Sequence, residues 1–282
     1  MIACACSAQN VPPPGDQTPK SGADSQLTAQ FVKTGLFMIS GGGCNTLLRL
    51  SGNGMILVDG KLPGNYKAIL RQAGKLSLSD QPIRALIVTD YLENHNGNNA
   101  EFLAAGTQIV AQENVKESLA HSSDGGGKVA APTITYRDNY TIRLGGVEAD
   151  LMHFGNAHTN GDTVVYFPNL KVVAVGGLYA DTPDPDFAAG GSLVEWSPVL
   201  AQVLKLDFDV AVPSSGPMIS RAELEAFKNK IDTVLSRASS LVKKGVTEDQ
   251  FMAQLKTDDL GWHLNFPGQR LHSLYAELSR TN

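Results

Sequence analysis

Apolar positions along the chain fall into short runs and helix-spaced sets that alternate. Leu36-Phe37-Met38-Ile39 is a run bounded by Gly35 and Ser40. Asn45 to Leu50 and Met55 to Val58 flank the turn Ser51-Gly52-Asn53-Gly54, a pattern that predicts a β-hairpin closed by Asp59-Gly60. Asn65 to Lys75 carries Tyr66, Ile69 and Leu70 at helical spacing. Ile83 to Val88 reads as a buried strand, followed by a polar loop from Thr89 to Asn99. A helix (100–105), a strand (107–110) and a helix (113–121) come next. Short strands then follow at 133–136, 140–144 and 147–152, with a further pair, 163–167 and 171–175, about Pro168-Asn169. Val199 to Leu204 reads as helical and Phe208 to Val212 as the last clear strand.

The remainder is helical. Ser220 with Glu223 three residues on forms a capping box before an amphipathic helix to about Lys244. Gly245 ends it, Thr247 starts another helix, and 270–279 makes a terminal one. Two successive sets of strands alternating with helices predict an α/β protein with two packed sheets. No solenoid-type period is present.

Composition narrows the function classes. Of 282 residues, 42% are hydrophobic and 18% charged, enough for a substantial core. Lys plus Arg number 23 against 28 Asp plus Glu, a net charge of −5 that offers no basic excess for phosphates and so argues against nucleic acid. No apolar run approaches the ~20 residues of a membrane span. The three cysteines, Cys4, Cys6 and Cys44, imply no disulfide framework. Residues 1–9 end in Ser7-Ala8-Gln9 and look like the end of a secretory signal peptide, or equally like an ordinary small-residue N-terminus. With the Pro-rich stretch after Val11 they make residues 1–25 a leader remnant and linker, ahead of a domain over 26–282 whose C-terminal helices begin at about 220. Export to a bacterial periplasm or cell envelope fits these features.

Ligands of open α/β sheets sit at the carboxyl ends of strands. Four such ends carry polar or glycine-rich loops: Thr89-Asp-Tyr-Leu-Glu-Asn-His-Asn-Gly-Asn-Asn99, His153-Phe-Gly-Asn-Ala-His-Thr-Asn-Gly-Asp162, Gly176-Gly177-Leu178 and Pro213-Ser-Ser-Gly-Pro217. In this order they resemble the loops of the metallo-β-lactamase fold superfamily. Members carry Thr-His-x-His-x-Asp-His with Gly-Gly-Asn soon after, then Ala-His-Thr-x-Gly-Asp, then Gly-Asp, then Pro-Gly-His-Gly. Leu57-Val58-Asp59 and Ala111-Gln-Glu-Asn-Val115 match as well, so the likeness runs from about Gly35 to Pro217. It implies a four-layer αββα sandwich of two mixed sheets flanked by helices, and a hydrolase using one or two zinc ions at these loops.

The resemblance also implies which ligands are missing. The first family His falls on Asp90, the second on Leu92, the Asp on Asn94, the bridging Asp on Gly177 and the last His on Ser215; His95 and His158 are kept. Leu92 and Gly177 offer no side-chain donor, whereas Asn94 and Ser215 are weak neutral ones. In the family the two kept histidines serve different metals, so the normal dinuclear site is expected to be lost. The leading expectation is a degenerate scaffold with no cofactor, its old cleft binding a small molecule or a partner protein. The alternative is a hydrolase with a rebuilt single-metal site at Asp90, His95 and His158, zinc being the metal considered and Asp90 the candidate general base, or with non-metal chemistry in the same cleft. A third reading is a structural partner of an active paralogue. Asp59 and Asp162 read as loop-holding residues, with Asp162 placed to orient His158. Glu93 reads as solvated, Trp196 and Trp262 as packing, His121, His263 and His272 as surface or core-edge, and a Ser214/Ser215–histidine nucleophile lacks an identifiable orienting acid.

Overall fold

The structure is a computed structural model that describes residues 26–77, 80–121 and 129–281. Residues 1–25, with the leader and linker expected there, lie outside the described residues. The first half is built from β1 (Thr28–Lys33), β2 (Leu36–Ser40), β3 (Thr46–Ser51), β4 (Gly54–Val58), α1 (Tyr66–Leu76), β5 (Ile83–Val88), α2 (Glu93–Asn96), α3 (Asn99–Ala104), β6 (Gln108–Gln112), α4 (Glu113–His121) and β7 (Ile134–Tyr136). The second half holds β8 (Asn139–Leu144), β9 (Val147–Met152), β10 (Val164–Phe167), β11 (Val172–Gly176), α5 (Leu193–Val203), β12 (Val210–Pro213), β13 (Ile219–Ser220), α6 (Arg221–Lys243), α7 (Glu248–Gln254) and α8 (Gln269–Thr281).

The seven strands β1 to β7 form one sheet in sequence order, antiparallel up to β4 and parallel from β4 to β7. The other sheet runs β13-β12-β11-β10-β9-β8 and is antiparallel except for the β11–β12 pair. Period-2 alternation sorts each strand's side chains to two faces. Met38, Ile56 and Ile87 from the first sheet meet Leu151, Val165 and Val172 from the second in the central layer. The opposite faces, with Leu48, Leu57 and Leu86 on one sheet and Val164 and Val173 on the other, are covered by helices. This is the expected αββα sandwich.

The ends of the sandwich differ. At one end the β3–β4 turn meets the β8–β9 turn: Gly52 donates its N–H to Gly145 O at 2.9 Å. Gly145 has φ +51°, and a Cβ there would stand 2.4 Å from Asn53 N, so only glycine lets the two turns close. The other end, where β4, β5 and β11 finish, stays open and carries the four loops.

Several boundaries moved. Residues 193–198 belong to α5, because the Ser192 side chain accepts from Glu195 N–H and starts the helix ahead of Pro198. Strand β1 was not anticipated; its register against β2 orders it although Phe31 stays 61% exposed. The polar loop after β5 contains α2 and the start of α3. The Ser220–Glu223 capping box is present at the start of α6. Among the described residues no helix is long and apolar enough to cross a membrane.

Candidate functional site

At the floor of the open end, β4 finishes in Asp59-Gly60-Lys61. Asp59 and Lys61 take left-handed φ values of 66° and 65°, a conformation that costs non-glycine residues energy and is held here by burial and hydrogen bonds. The Asp59 carboxylate accepts from Thr89 N–H at 2.8 Å and from the Thr89 hydroxyl, tying the end of β4 to the end of β5. Its Oδ2 lies 2.9 Å from His95 Nδ1. The kept histidine of the first loop is therefore oriented from below by a carboxylate, as metal-binding imidazoles usually are.

The other nitrogen of His95 faces Asp90: Nε2 is 3.3 Å from Asp90 Oδ2. The same oxygen is 3.7 Å from His158 Nδ1. The two histidines thus converge on one carboxylate oxygen, rather than standing at separate metals as the resemblance implies. Asp90 Oδ1 accepts from Leu92 N–H at 2.8 Å and is satisfied. Asp90 Oδ2 and His158 Nδ1 are buried with no hydrogen bond among the described residues. Buried polar atoms left this way are rare and call for a partner.

The electrostatics follow from burial and these contacts. Burial opposes a charge on His95, yet Asp90 and Asp59 outweigh it and raise its pKa to about 9. His158 is also raised, by Asp90 and Asp162 against burial. Burial pushes the Asp90 carboxyl up, but the two imidazoliums more than offset this and hold it below its ordinary value. Burial takes Asp162 up to about 6.

The remaining positions divide clearly. Asp162 spends its oxygens on the Thr159 N–H and hydroxyl and lies 3.9 Å from His158 Nδ1, so it holds the loop and gives only a weak orienting pull. Leu92 and Asn94 are half-buried and Glu93 is exposed. Ser215 is exposed, while the neighbouring backbone is held by Asn45, which bonds Pro213 O, Ser214 O and Gly216 O. No hydrogen bond joins Ser215 to His95 among the described residues, and the ring of His95 is only 1% exposed. Trp196 is fully buried and donates to Leu178 O, with its ring 6.3 Å from that of His158. Trp262 is buried against Phe227. His121, His263 and His272 have exposed partners away from the cleft.

Gly177, where the resemblance implies a bridging carboxylate, is filled from outside. A Cβ at this position would stand 2.4 Å from His158 Nδ1. The His158 ring occupies the space that a side chain at 177 would need. Introducing Gly177→Asp should therefore displace His158 from Asp90. A structure of the variant with the Asp90–His158 separation unchanged would show this account to be wrong.

Two features escaped the sequence reading. Lys61 is fully buried, its Nζ donating to Ile39 O at 2.9 Å and Cys44 O at 2.6 Å, and burial lowers its pKa to about 8. Cys44, Asp59 and His95 form a group of ligand-type atoms within 4.8 Å of one another. Burial, and next Asp59, push the Cys44 thiol well above its ordinary pKa, and the Asp59 oxygens already accept from Thr89. To serve a metal here the thiol would have to lose its proton and Asp59 to share oxygens already bonded to Thr89.

The outer group offers two buried atoms that lack a hydrogen bond among the described residues, Asp90 Oδ2 and His158 Nδ1. Two ligands about 2.0–2.1 Å from a single tetrahedral zinc stand about 3.3–3.4 Å apart. The 3.3 Å separation of Asp90 from His95 is of that order and the 3.7 Å separation from His158 exceeds it, but the three residues do not bring their ligand atoms all within 4.8 Å of one another, so one ion would have to draw the two loops together. The family's full dinuclear set does not fit, since Leu92 and Gly177 supply no donor and Ser215 is exposed.

No family model matches the chain. Solved structures do match its fold. A metallo-β-lactamase from Pontibacter korlensis superposes with a TM-score of 0.62 at 20% identity, covering 72% of this chain and 99% of its own. The metallo-β-lactamase DIM-1 gives 0.64 at 16% identity over 74% of this chain and 98% of its own.

This chain has the metallo-β-lactamase fold.

The mono-zinc form of the metallo-β-lactamase FIM-1 from Pseudomonas aeruginosa superposes equally well, at 0.64 and 18% identity over 76% of this chain and 98% of its own. Among curated proteins, the 2,4-dinitroanisole O-demethylase subunit alpha of Nocardioides sp. (strain JS1661) is 27% identical over 228 residues, spanning 81% of this chain and 69% of that one. The metallo-β-lactamase fold thus places Asp90, His95 and His158 at its open end, where the first two motif loops come together.

Proposed function

We propose that this chain is a hydrolytic enzyme on the metallo-β-lactamase fold, working with one metal ion held by Asp90, His95 and His158. The observation that supports this reading is the approach of His95 Nε2 and His158 Nδ1 to Asp90 Oδ2, at 3.3 and 3.7 Å, with two of these buried atoms lacking a hydrogen bond among the described residues. A zinc ion in such a site lowers the pKa of a bound water towards ~7 and makes it a nucleophile at neutral pH. Asp59 keeps the proton of His95 on Nδ1 and leaves Nε2 to the cleft. Thr89 and Thr159 hold the carboxylates of Asp59 and Asp162 so that both loops present their histidines inward. The Nocardioides relative is named as a 2,4-dinitroanisole O-demethylase subunit, which supports an enzyme acting on a small aromatic ether.

A second reading has its own support. Gly177 has given its space to His158, and Leu92 and Ser215 stand where the resemblance implies ligands. On that reading the cleft binds a small molecule or a partner protein without metal chemistry, and the relative's designation as a subunit favours a partner.

Metal content separates the two. Protein purified without chelator or metal resin should hold close to one metal ion per chain by elemental mass spectrometry. His158→Ala should lose it, whereas Cys44→Ala should keep it, because Cys44 is not one of the proposed ligands. Calorimetry should show zinc uptake releasing protons and tightening as pH rises towards 9, since His95 must lose one. The loaded protein is then assayed with 2,4-dinitroanisole, read by phenolate release. Absence of metal and of heat on titration would leave the metal-free reading.

A further inference from the structure

We propose that Asp186 is the positioning residue that sets the distance between the two motif loops, and that α8 anchors it for this purpose. The inference rests on the proposed site for its metal-affinity readout only.

The stretch between β11 and α5 grips both loops of the cleft. From the His158 side, Asp186 N–H donates to His158 O at 2.8 Å, Asn160 N–H to Ala189 O at 2.9 Å and Ser192 N–H to Ala157 O at 2.9 Å. From the Asp90 side, the Tyr91 hydroxyl donates to Asp186 Oδ2. The other carboxylate oxygen of Asp186 accepts from Ala188 N–H at 3.1 Å and Ala189 N–H at 3.2 Å, which shapes the turn presenting those backbone groups. One residue thus joins the two stretches: its carboxylate holds Tyr91 beside Asp90 and shapes the turn, and its backbone N–H holds His158 O. The 3.7 Å gap between Asp90 and His158 is spanned by no hydrogen bond of its own, so it depends on such a frame.

The frame is fastened to the C-terminal helices. Arg270, in the first turn of α8, pairs with Asp184, and its guanidinium lies 5.4 Å from the Phe266 ring centroid. Phe266 in turn packs edge-on to Phe187 at 6.0 Å. Arg270 also reaches Pro185 O at 3.4 Å. Residues far along the chain therefore hold the loop that holds the site.

The test compares Asp186→Ala, Asp186→Asn, Tyr91→Phe and the Tyr91→Phe/Asp186→Ala double variant with the full-length protein. Glu223→Ala, which breaks the remote capping box of α6, serves as a stability control. Zinc affinity is read by calorimetry, and backbone order by amide hydrogen exchange at Asn160, Asp186 and Ser192. Asp186→Ala should weaken zinc about 10–100-fold, the usual cost of losing a group that orients ligands. Asn keeps an acceptor oxygen and should restore most of the affinity. The double variant should lose less than the sum of the singles, because both act through one bond. Exchange at the three amides should quicken in Asp186→Ala and stay unchanged in Glu223→Ala. Wild-type zinc affinity together with wild-type exchange in Asp186→Ala would overturn the inference, as would an equal affinity loss in Glu223→Ala. If the wild type takes up no zinc, the metal reading fails and amide exchange alone decides: faster exchange at these sites upholds the frame, and unchanged exchange removes it.

Discussion

Replacing His95 with alanine should destabilise the metal-free protein by about 3–5 kcal/mol at neutral pH. The ring is 1% exposed and lies between two buried carboxylates, with Asp59 Oδ2 at 2.9 Å from Nδ1 and Asp90 Oδ2 at 3.3 Å from Nε2. Removing it leaves two carboxylates close together in the interior without the cation they share. The effect has a pH signature. The folded pKa of about 9 stands above the 6.5 of a free histidine, so the charged ring contributes stability that is fully present below pH 6.5 and is lost as pH rises through 9. A shift of that size corresponds to roughly 3 kcal/mol. Denaturant titrations of chelator-treated wild type should show stability falling across this window, and His95→Ala should show a flatter profile. A loss below about 1 kcal/mol at pH 7, or an unaltered pH profile, would mean that the carboxylates are relieved by some other means.

Lys61→Met should cost about 2–6 kcal/mol, from about 1–3 kcal/mol for each of the two carbonyls it strands. The ammonium is the donor to Ile39 O and Cys44 O, both in the interior, and methionine fills much of the same volume while donating nothing. The sign with pH is opposite to that at His95. Burial depresses Lys61 from 10.5 to about 8, so the unfolded chain binds the extra proton between those values and folding gains from this group as pH rises from 8 to 10.5. Thermal or denaturant unfolding of wild type and variant across that range should show the gain in the wild type alone. A variant as stable as wild type at pH 7 would show that the two carbonyls find water.

The layers of the fold were legible wherever the signal was local. Ile83–Val88 and Val147–Met152 match their strands residue for residue, since unbroken or alternating apolar runs between turn residues leave little choice. Ser220 and Glu223 announce α6 within four residues. Strand β1 was hidden because the apolar residues of Thr28–Lys33 do not alternate regularly, only Val32 being buried, and it is ordered by its pairing with β2. At α5, Pro198 masks a helix that its Ser192 cap begins one and a half turns earlier. The site divides in the same way. Asp90, His95 and His158 were found because their loops keep a recognisable motif. Lys61 reaches carbonyls 17 and 22 residues away, and Tyr91 meets Asp186 across 95 residues. No spacing rule encodes such meetings; they exist only once the two sheets have closed.

The joint between Gly52 and Gly145 gives the sandwich the layout of a clothes-peg, closed at one end and loop-bearing at the other. The β3–β4 and β8–β9 turns form its closed end, tied by one backbone hydrogen bond, and the motif loops are its jaws. Asp90 rides on the jaw that follows β5 and His158 on the jaw that follows β9, so the gap between them is the peg's bite. A side chain at Gly145 would meet Asn53 N at 2.4 Å and part the two turns, so closure of this end rests on a residue with no side chain.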